Sequence, residues 1–407
     1  MIEVETARER IRQFAHELPP EDCPCSAALG RVLAEEIASD VDSPPHDKSI
    51  VDGYAVRTAD LPGGEGELEI IEEIMAGRVP TRHVEAGQAS RIMTGAPLPA
   101  GADAVVMVER TQPQHVTGSL GRVQFRDARL ALGQNIVRRA ANIRRGDVIL
   151  APRHSLRPVE LGLLAEVGRQ RVRVFSRPRV AVLSTGDELV PIGSLPGPGQ
   201  IRNSNEPMLL ACVAQAGGVP IGLGIAGDDR QQLRRSIDRG LESADVLVLS
   251  GGVSAGVLDL VPGVLQDAGV EQVFHKVRVK PGKPVWFGVQ PGPPARLVFG
   301  LPGNPVSSLV CFRLFVELAL AVMGGRRAQG LELSPARLLA PFVQHGDRVA
   351  YQPALVCREF DGLTATPLKT HGSSDQRGLS AANALAYFPA GERRFEVGET
   401  IGICWLD

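Results

Sequence analysis

Val180-Ala-Val-Leu-Ser-Thr-Gly-Asp-Glu188 is an apolar run that empties into a polar, glycine-bearing turn. No polar residue alternates within the run, so it reads as a strand buried on both faces. The pattern recurs twice. Val246-Leu-Val-Leu249 runs into Ser250-Gly-Gly-Val-Ser-Ala-Gly256, and Leu297-Val-Phe299 runs into Gly300-Leu-Pro-Gly-Asn-Pro-Val-Ser-Ser308. Helical patterns lie between them over 206–216 and 230–241, with a further strand at Gly222-Leu-Gly-Ile225. Continuous apolar strands alternating with helices predict a doubly wound, mostly parallel sheet. Ligands of such sheets bind beyond the carboxyl ends of the strands. That is where Gly, Ser, Thr and Asp gather here.

Lys280-Pro-Gly-Lys-Pro284 adds charge to that edge. Proline second and glycine third suit a type II turn, whose first and fourth Cα atoms lie within about 7 Å. Lys280 and Lys283 then converge on one small anion. Upstream, Lys276, Arg278 and Lys280 alternate with Val277 and Val279, and on a strand the three cations share a face. In Gly303-Asn304-Pro305, Asn304 suits a helix N-cap and Pro305 the first helical position. Unpaired amides at such a start favour an anion, and Ser307 and Ser308 add hydroxyls. Two charges about 4 Å apart are worth about 4 kcal/mol at an effective dielectric near 20, so a lysine pair suits a dianion. A capped helix and a solvated turn would use the same residues without ligand; three strand-end loops beside the lysines favour binding.

The rest of the chain bounds the answer. At 407 residues it exceeds one ordinary core. A net charge of −2 argues against a broad nucleic-acid or anionic-lipid footprint. The six cysteines are scattered, with only Cys23 and Cys25 close, so free thiols in a reducing cytosol are expected rather than a zinc set. The N-terminus lacks a signal-peptide pattern. The longest apolar segment, about 306–323, carries Arg313 and Glu317, which predicts a buried helix rather than a membrane span. Residues 3–39 and 141–172 have helical spacing and predict one discontinuous helical and extended domain (1–42 with 141–175). Residues 43–140 predict an all-β insert, 176–326 the α/β domain, and 327–407 a small C-terminal β domain.

Carboxylates supply the opposite sign. Asp187 and Glu188 sit at a strand end and suit Mg²⁺, which one or two carboxylates hold together with substrate phosphates. Asp52, Asp228, Asp229 and Asp259 are further acids. His46, His275 and His371 lack ligand-like spacing.

Together these motifs resemble the MoeA family, which includes the gephyrin E domain. The matching segments are Ser43-Pro-Pro45 with Val51-Asp-Gly-Tyr-Ala55, Arg91-Ile-Met-Thr-Gly-Ala96, Gly101-Ala-Asp-Ala-Val-Val106, Ser184-Thr-Gly-Asp-Glu-Leu189 and Ser204-Asn205. They continue with Gly251-Gly-Val-Ser254, Lys280-Pro-Gly-Lys-Pro284, Gly300-Leu-Pro-Gly-Asn-Pro305, Gly372-Ser373, Ala382-Asn383 and Phe388-Pro389. The resemblance implies a four-domain homodimer whose third domain is similar to molybdopterin adenylyltransferase. It implies molybdenum insertion from molybdate into adenylated molybdopterin in the cytoplasm, with Mg²⁺-dependent cleavage of the phosphoanhydride and release of AMP. Molybdopterin adenylyltransferase and molybdoenzymes are the implied protein partners. By carry-over, Ser254, Lys280, Lys283, Gly303, Asn304, Ser307 and Arg348 would hold molybdate or substrate. Asp52, Thr94, Asp187, Glu188, Asp228 and Asp259 would serve catalysis, with Asp187, Glu188 and Asp259 on the metal. The implied dimer brings Asp52 and Thr94 of one subunit toward the crevice of the other. Three segments depart from the family's pattern. Ala140-Ala141-Asn142 stands for Gly-Glu-Asp, Val257 for an acid, and Asn203 for Asp. The lost charges motivate a rival expectation, a catalytically impaired relative that binds, stores or delivers cofactor or scaffolds a partner.

Overall fold

The strand Arg179–Thr185 pairs in parallel with Val219–Ala226 on one side and Val246–Ser250 on the other. Arg296–Leu301 continues the parallel run, and Trp286–Gln290 and Glu271–His275 complete six strands in antiparallel. Alternate residues of one strand serve two different cores. Val180 and Val182 pack with Leu209, Val213, Phe299 and Phe312, whereas Ala181 and Leu183 pack with Leu233, Ile237 and Val264. Both faces are therefore covered by helices, which is why these strands carry no polar alternation. This computed structural model describes all residues except 117–118, 254–259, 328–330, 370 and 407.

The chain divides into two units, Met1–Glu35 with Pro152–Leu161 and Arg171–Asp407, and Glu36–Ala151 with Gly162–Gln170. The first holds the doubly wound sheet and a C-terminal sheet. In the latter, Val349–Glu359, Gly362–Pro367, Ser334–Leu338, Thr400–Trp405 and Ala384–Phe388 follow one another, and the last pairs back onto the first to close a barrel. Val279–Lys280 adds to this barrel, parallel to Val349–Ala350. The helical stretch Pro305–Met323 is apolar enough to span a bilayer, yet it is 72% buried inside the protein. Its Arg313 pairs with Glu317 at 3.2 Å and donates to the Trp405 carbonyl at 2.7 Å. The second unit is built on a six-stranded mixed sheet with Tyr54, Val56, Leu68, Ala89 and Phe125 in its core.

Two expectations of helix are corrected. Within 3–39 only Val4–Phe14 is an α-helix, and Pro20–Pro24 is a strand paired with Arg171–Phe175. Within 141–172 only Pro158–Glu166 is helical, while Val148–Leu150 is a strand. Prolines 19, 20, 24 and 152 interrupt these stretches, each removing a helix donor. Buried Val32 and Leu33 made the apolar spacing look helical, but they sit in extended chain that bridges to Ser155 and Val174. All six cysteines are free thiols, and burial pushes Cys212 up to about 11.

Ala140 in the second unit has a φ of 58°, with its amide donating to the Pro44 carbonyl at 2.9 Å. A side chain in this left-handed region costs about 1–2 kcal/mol, less the extra freedom glycine has when unfolded. Ala140→Gly is expected to raise stability by about 0.5–1 kcal/mol, read as a higher denaturant midpoint at unchanged slope.

Candidate functional site

The level ends of the parallel strands create the site. Ser184 lies opposite Ser250, and Ser250 opposite Leu301, so three loops leave the sheet at one edge. Gly251 and Gly303 are neighbours, and a Cβ on Gly303 would stand in ordinary contact, 3.7 Å from the Gly251 Cα. Three cavities open along this edge, and Asn304 lines all of them.

The first cavity, about 450 Å³, lies between the lysine turn and the C-terminal barrel. Lys280, Lys283, Asn304, Ser307 and Arg348 line it, together with Phe342, Gln352 and Ser373. Five of the seven residues expected to bind substrate thus meet here. The pairing of Val279 with Val349 accounts for Arg348, whose Nη1 donates to the Val279 carbonyl at 3.3 Å. Lys280 and Lys283 are exposed and have no ion pair among the described residues, so their charge is available to an anion. Gly303 lies in the two neighbouring cavities, and Ser254 lies outside the described residues.

The lysine turn itself differs from expectation. The Lys280–Pro281 bond is cis, and the backbone hydrogen bond of the reversal runs from the Val285 amide to the Gly282 carbonyl at 3.2 Å, with no bond from the Lys283 amide to the Lys280 carbonyl among the described residues. Packing sets this path. Lys280 is held as a barrel strand, and Gly282 is pressed against Cys311, where a Cβ would lie 2.4 Å from Sγ. Nor do three cations share a strand face. The strand is only Val279–Lys280, Lys276 has a φ of 69°, and Arg278 faces Glu3 at 3.4 Å.

The helix start at Pro305 also offers fewer donors than expected. The Val306 amide donates to the Ser373 carbonyl at 3.0 Å and the Ser308 amide to the Asn304 carbonyl at 2.9 Å. The Ser308 hydroxyl is spent on the Pro302 carbonyl. Asn304 occupies the N-cap position but its side chain makes no cap bond, which leaves the carboxamide for the cavities. Anion attraction here is carried by side chains, chiefly the two lysines and Arg348, rather than by open amides.

The other two cavities, about 460 and 330 Å³, follow the strand ends. Thr185, Glu188, Gly303 and Asn304 line both; Asn203, Asn205 and Ser250 line one and Asp228 the other. Glu188 and Asp228 are exposed and carry no ion pair among the described residues. Asp187 Oδ1 accepts the Asp228 amide at 2.9 Å, tying the two strand ends together. Asp259 lies outside the described residues, and among the described residues no three ligating groups gather as a preformed metal cluster. Free carboxylates beside a cavity suit a Mg²⁺ that takes its remaining ligands from phosphate and water. Thr185, Ser250, Phe342 and Gln352 were not singled out from sequence. Thr185 and Ser250 stand in quoted strand-end motifs, but nothing local marks Phe342 or Gln352.

In the second unit, Asp52 Oδ1 accepts both the amide and the hydroxyl of Thr94, each at 2.7 Å. These bonds, with the nearby Arg91 charge, hold the Asp52 carboxyl below its ordinary range. Oδ2 has no hydrogen-bond partner among the described residues, so an exposed, ionised carboxylate is presented on a fixed oxygen.

An α/β domain whose strand-end loops meet two lysines and an arginine beside a β barrel defines an anion-binding protein of the doubly wound class. The model of a "probable molybdopterin binding domain" matches residues 181–321, flanked by the MoeA N-terminal region (domain I and II) at 2–168 and the MoeA C-terminal region (domain IV) at 335–404. The chain is 37% identical over 388 residues to the molybdopterin molybdenumtransferase of Nostoc sp., covering 93% of this chain and 87% of that protein. It is 33% identical over 406 residues to that of Bacillus subtilis, covering 99% and 93%. A crystal structure of the MoeA protein from Pyrococcus horikoshii superposes with a TM-score of 0.81 at 31% identity, covering 100% of this chain and 99% of that one. The chain belongs to the MoeA family.

Thr94→Val removes the hydroxyl bond and keeps the amide bond. The Asp52 carboxyl is then expected to titrate higher, as followed by side-chain carboxyl NMR. Because its pKa is depressed in the folded protein, the stabilisation is present at neutral pH and is lost as pH falls through that lowered value. Thr94→Ser should leave the titration unchanged.

Proposed function

We propose that the protein inserts molybdenum from molybdate into adenylated molybdopterin, giving molybdenum cofactor and releasing AMP. The observation that carries this reading is the cavity where Lys280, Lys283 and Arg348 meet Asn304 and Ser307. Molybdate is a dianion, and three cations with neutral hydrogen-bonding groups at their side can neutralise its charge and donate to its four oxygens. The adjoining strand-end cavities, which share Asn304 with it, suit the pterin phosphate and the adenylate.

In this reading the lysines and Arg348 bind and orient the oxyanion, and the Asn304 carboxamide stands between it and the phosphoanhydride. Glu188 and Asp228, with Asp187, would hold Mg²⁺. The ion supplies charge neutralisation of the phosphoanhydride oxygens when bound. Asp52, fixed by Thr94, serves as an acceptor for a water proton. It acts from the partner subunit of a homodimer, in a cytoplasmic protein that receives its substrate from a molybdopterin adenylyltransferase and hands its product to molybdoenzymes.

Of the lost acids, Asn203 is compensated locally. Its Oδ1 accepts the Ser184 hydroxyl at 2.9 Å and its Nδ2 donates to Glu206 at 3.0 Å. An aspartate there would set two carboxylates against each other. Asn142 is exposed and lacks any such side-chain partner among the described residues, so its lost charge is the one that favours the impaired, cofactor-binding reading. Asn142→Asp separates the two, since an active enzyme gains turnover and a carrier does not.

The direct test is purified protein with adenylated molybdopterin, molybdate and Mg²⁺. AMP release and reconstitution of a molybdoenzyme are expected; absence of both refutes the reading. Lys280→Ala should weaken molybdate binding by roughly tenfold, the loss of one charge-assisted contact, with an unchanged melting temperature.

A further inference from the structure

Asn205 opens the helix Asn205–Gln215 and is 9% exposed. Its Nδ2 donates to Ser250 Oγ at 2.7 Å and to the Gly303 carbonyl at 2.6 Å. A backbone carbonyl only accepts, so the group facing Gly303 must be the NH₂, and the orientation of the amide is fixed. Its Oδ1 is then buried with no partner. An orphaned buried acceptor is unfavourable, so the residue is kept for what its NH₂ does. That NH₂ joins the last residue of one strand, Ser250 at 2% exposure, to the loop that follows the neighbouring strand.

We propose that Asn205 is a positioning residue for the oxyanion cavity. It clamps the loop of residues 302–305 onto the end of the strand Val246–Ser250. The loop's position in turn sets where Asn304 and Ser307 stand relative to Lys280 and Lys283. Asn203 acts in the same way one strand over, joining Ser184 to Glu206, so residues 203–205 lace the strand ends together. The Gly251 amide also donates to the Leu301 carbonyl at 3.0 Å, and the Asn205 bond is the one side-chain bond to Gly303 among the described residues. Asn205 touches neither lysine nor the cavity they line, and it lines the adjoining strand-end cavity. The functional consequence rests on the molybdate reading above, whereas the clamping of the loop does not.

Three variants test the clamp. N205D is isosteric but sets an acceptor against the Gly303 carbonyl. N205A loses both bonds without repulsion. S250A loses one bond and keeps the other. The first readout is hydrogen exchange at the Val306 and Ser308 amides, which are bonded to Ser373 and Asn304. Exchange is expected to quicken in the order N205D, then N205A, then S250A. The second readout is the Kd for molybdate with Mg²⁺ absent. It should weaken about tenfold or more in N205D and by less in S250A, following the same order. With molybdate and adenylated molybdopterin both saturating, turnover should recover toward the wild-type kcat, so the loss appears in the KM for molybdate. A purely structural role would lower the melting temperature without this split. Unchanged exchange at both amides in N205A and N205D overturns the clamp, as does a molybdate Kd within about twofold of wild type. Should N205D fail to fold, N205A and S250A still decide the matter. Should the wild type bind no molybdate, the proposed function falls, and the exchange rates alone decide the clamp.

Discussion

Covering the sheet on both faces is the constraint from which the rest of this structure follows. Val180, Val182, Val246 and Val248 need one apolar layer, and Ala181, Leu183, Leu247 and Leu249 need another. Only parallel strands with helical crossovers supply both, and they bring the strands into register with their carboxyl ends level. The polar residues excluded from those runs have nowhere to go but the shared edge. The functional surface is in this sense a consequence of the core: Ser184, Ser250 and the Gly300–Asn304 turn meet because the apolar residues before them are aligned.

The barrel adds what the sheet cannot. A sheet edge offers hydroxyls, amides and carboxylates but little positive charge. The two-residue pairing of Val279–Lys280 with Val349–Ala350 brings Arg348 beside the lysine turn. The loop that carries Ser373 accepts the Val306 amide at the start of the buried helix. One domain supplies the phosphate-like edge and the other helps to wall in the cations. The product is a cavity whose charge suits a small dianion while the overall chain stays near neutral.

Polar burial near the site follows the same economy. Asn203, Asn205, Ser184 and Ser250 are all buried and bonded to each other or to loop carbonyls. Hydrogen bonds between buried groups are worth only about 1 kcal/mol each, but leaving the groups unmet costs more, so such a network favours one arrangement of loops over others. Asp52 and Thr94 in the second unit show a simpler version, a carboxylate held by a neighbouring amide and hydroxyl at one oxygen.

Much of this was legible in the sequence. Val180–Leu183, Val246–Leu249 and Leu297–Phe299 announced themselves as strands, because an apolar run of three or four residues leading into a glycine-bearing turn has few other fates. Lys280, Lys283, Asn304 and Ser307 could be grouped, since each lies within a few residues of a strand end or helix start. The helical spacing of 15–39 misled, because apolar residues in extended bridging chain can share a helix's period by chance. What only the tertiary structure decided is how the groups meet. The path of the lysine turn is set by Cys311 packing on Gly282 and by a barrel strand some 70 residues downstream in the chain, at Val349. The Val306 amide at the helix start is taken by a loop from the barrel, and Phe342 and Gln352 enter the cavity from that same barrel. Local pattern determines which segments form strands and where the polar turns fall, because it reflects nearest-neighbour geometry and burial. Long-range packing determines which donors remain free, because a hydrogen-bonding group can be claimed by any part of the chain that the fold brings to it.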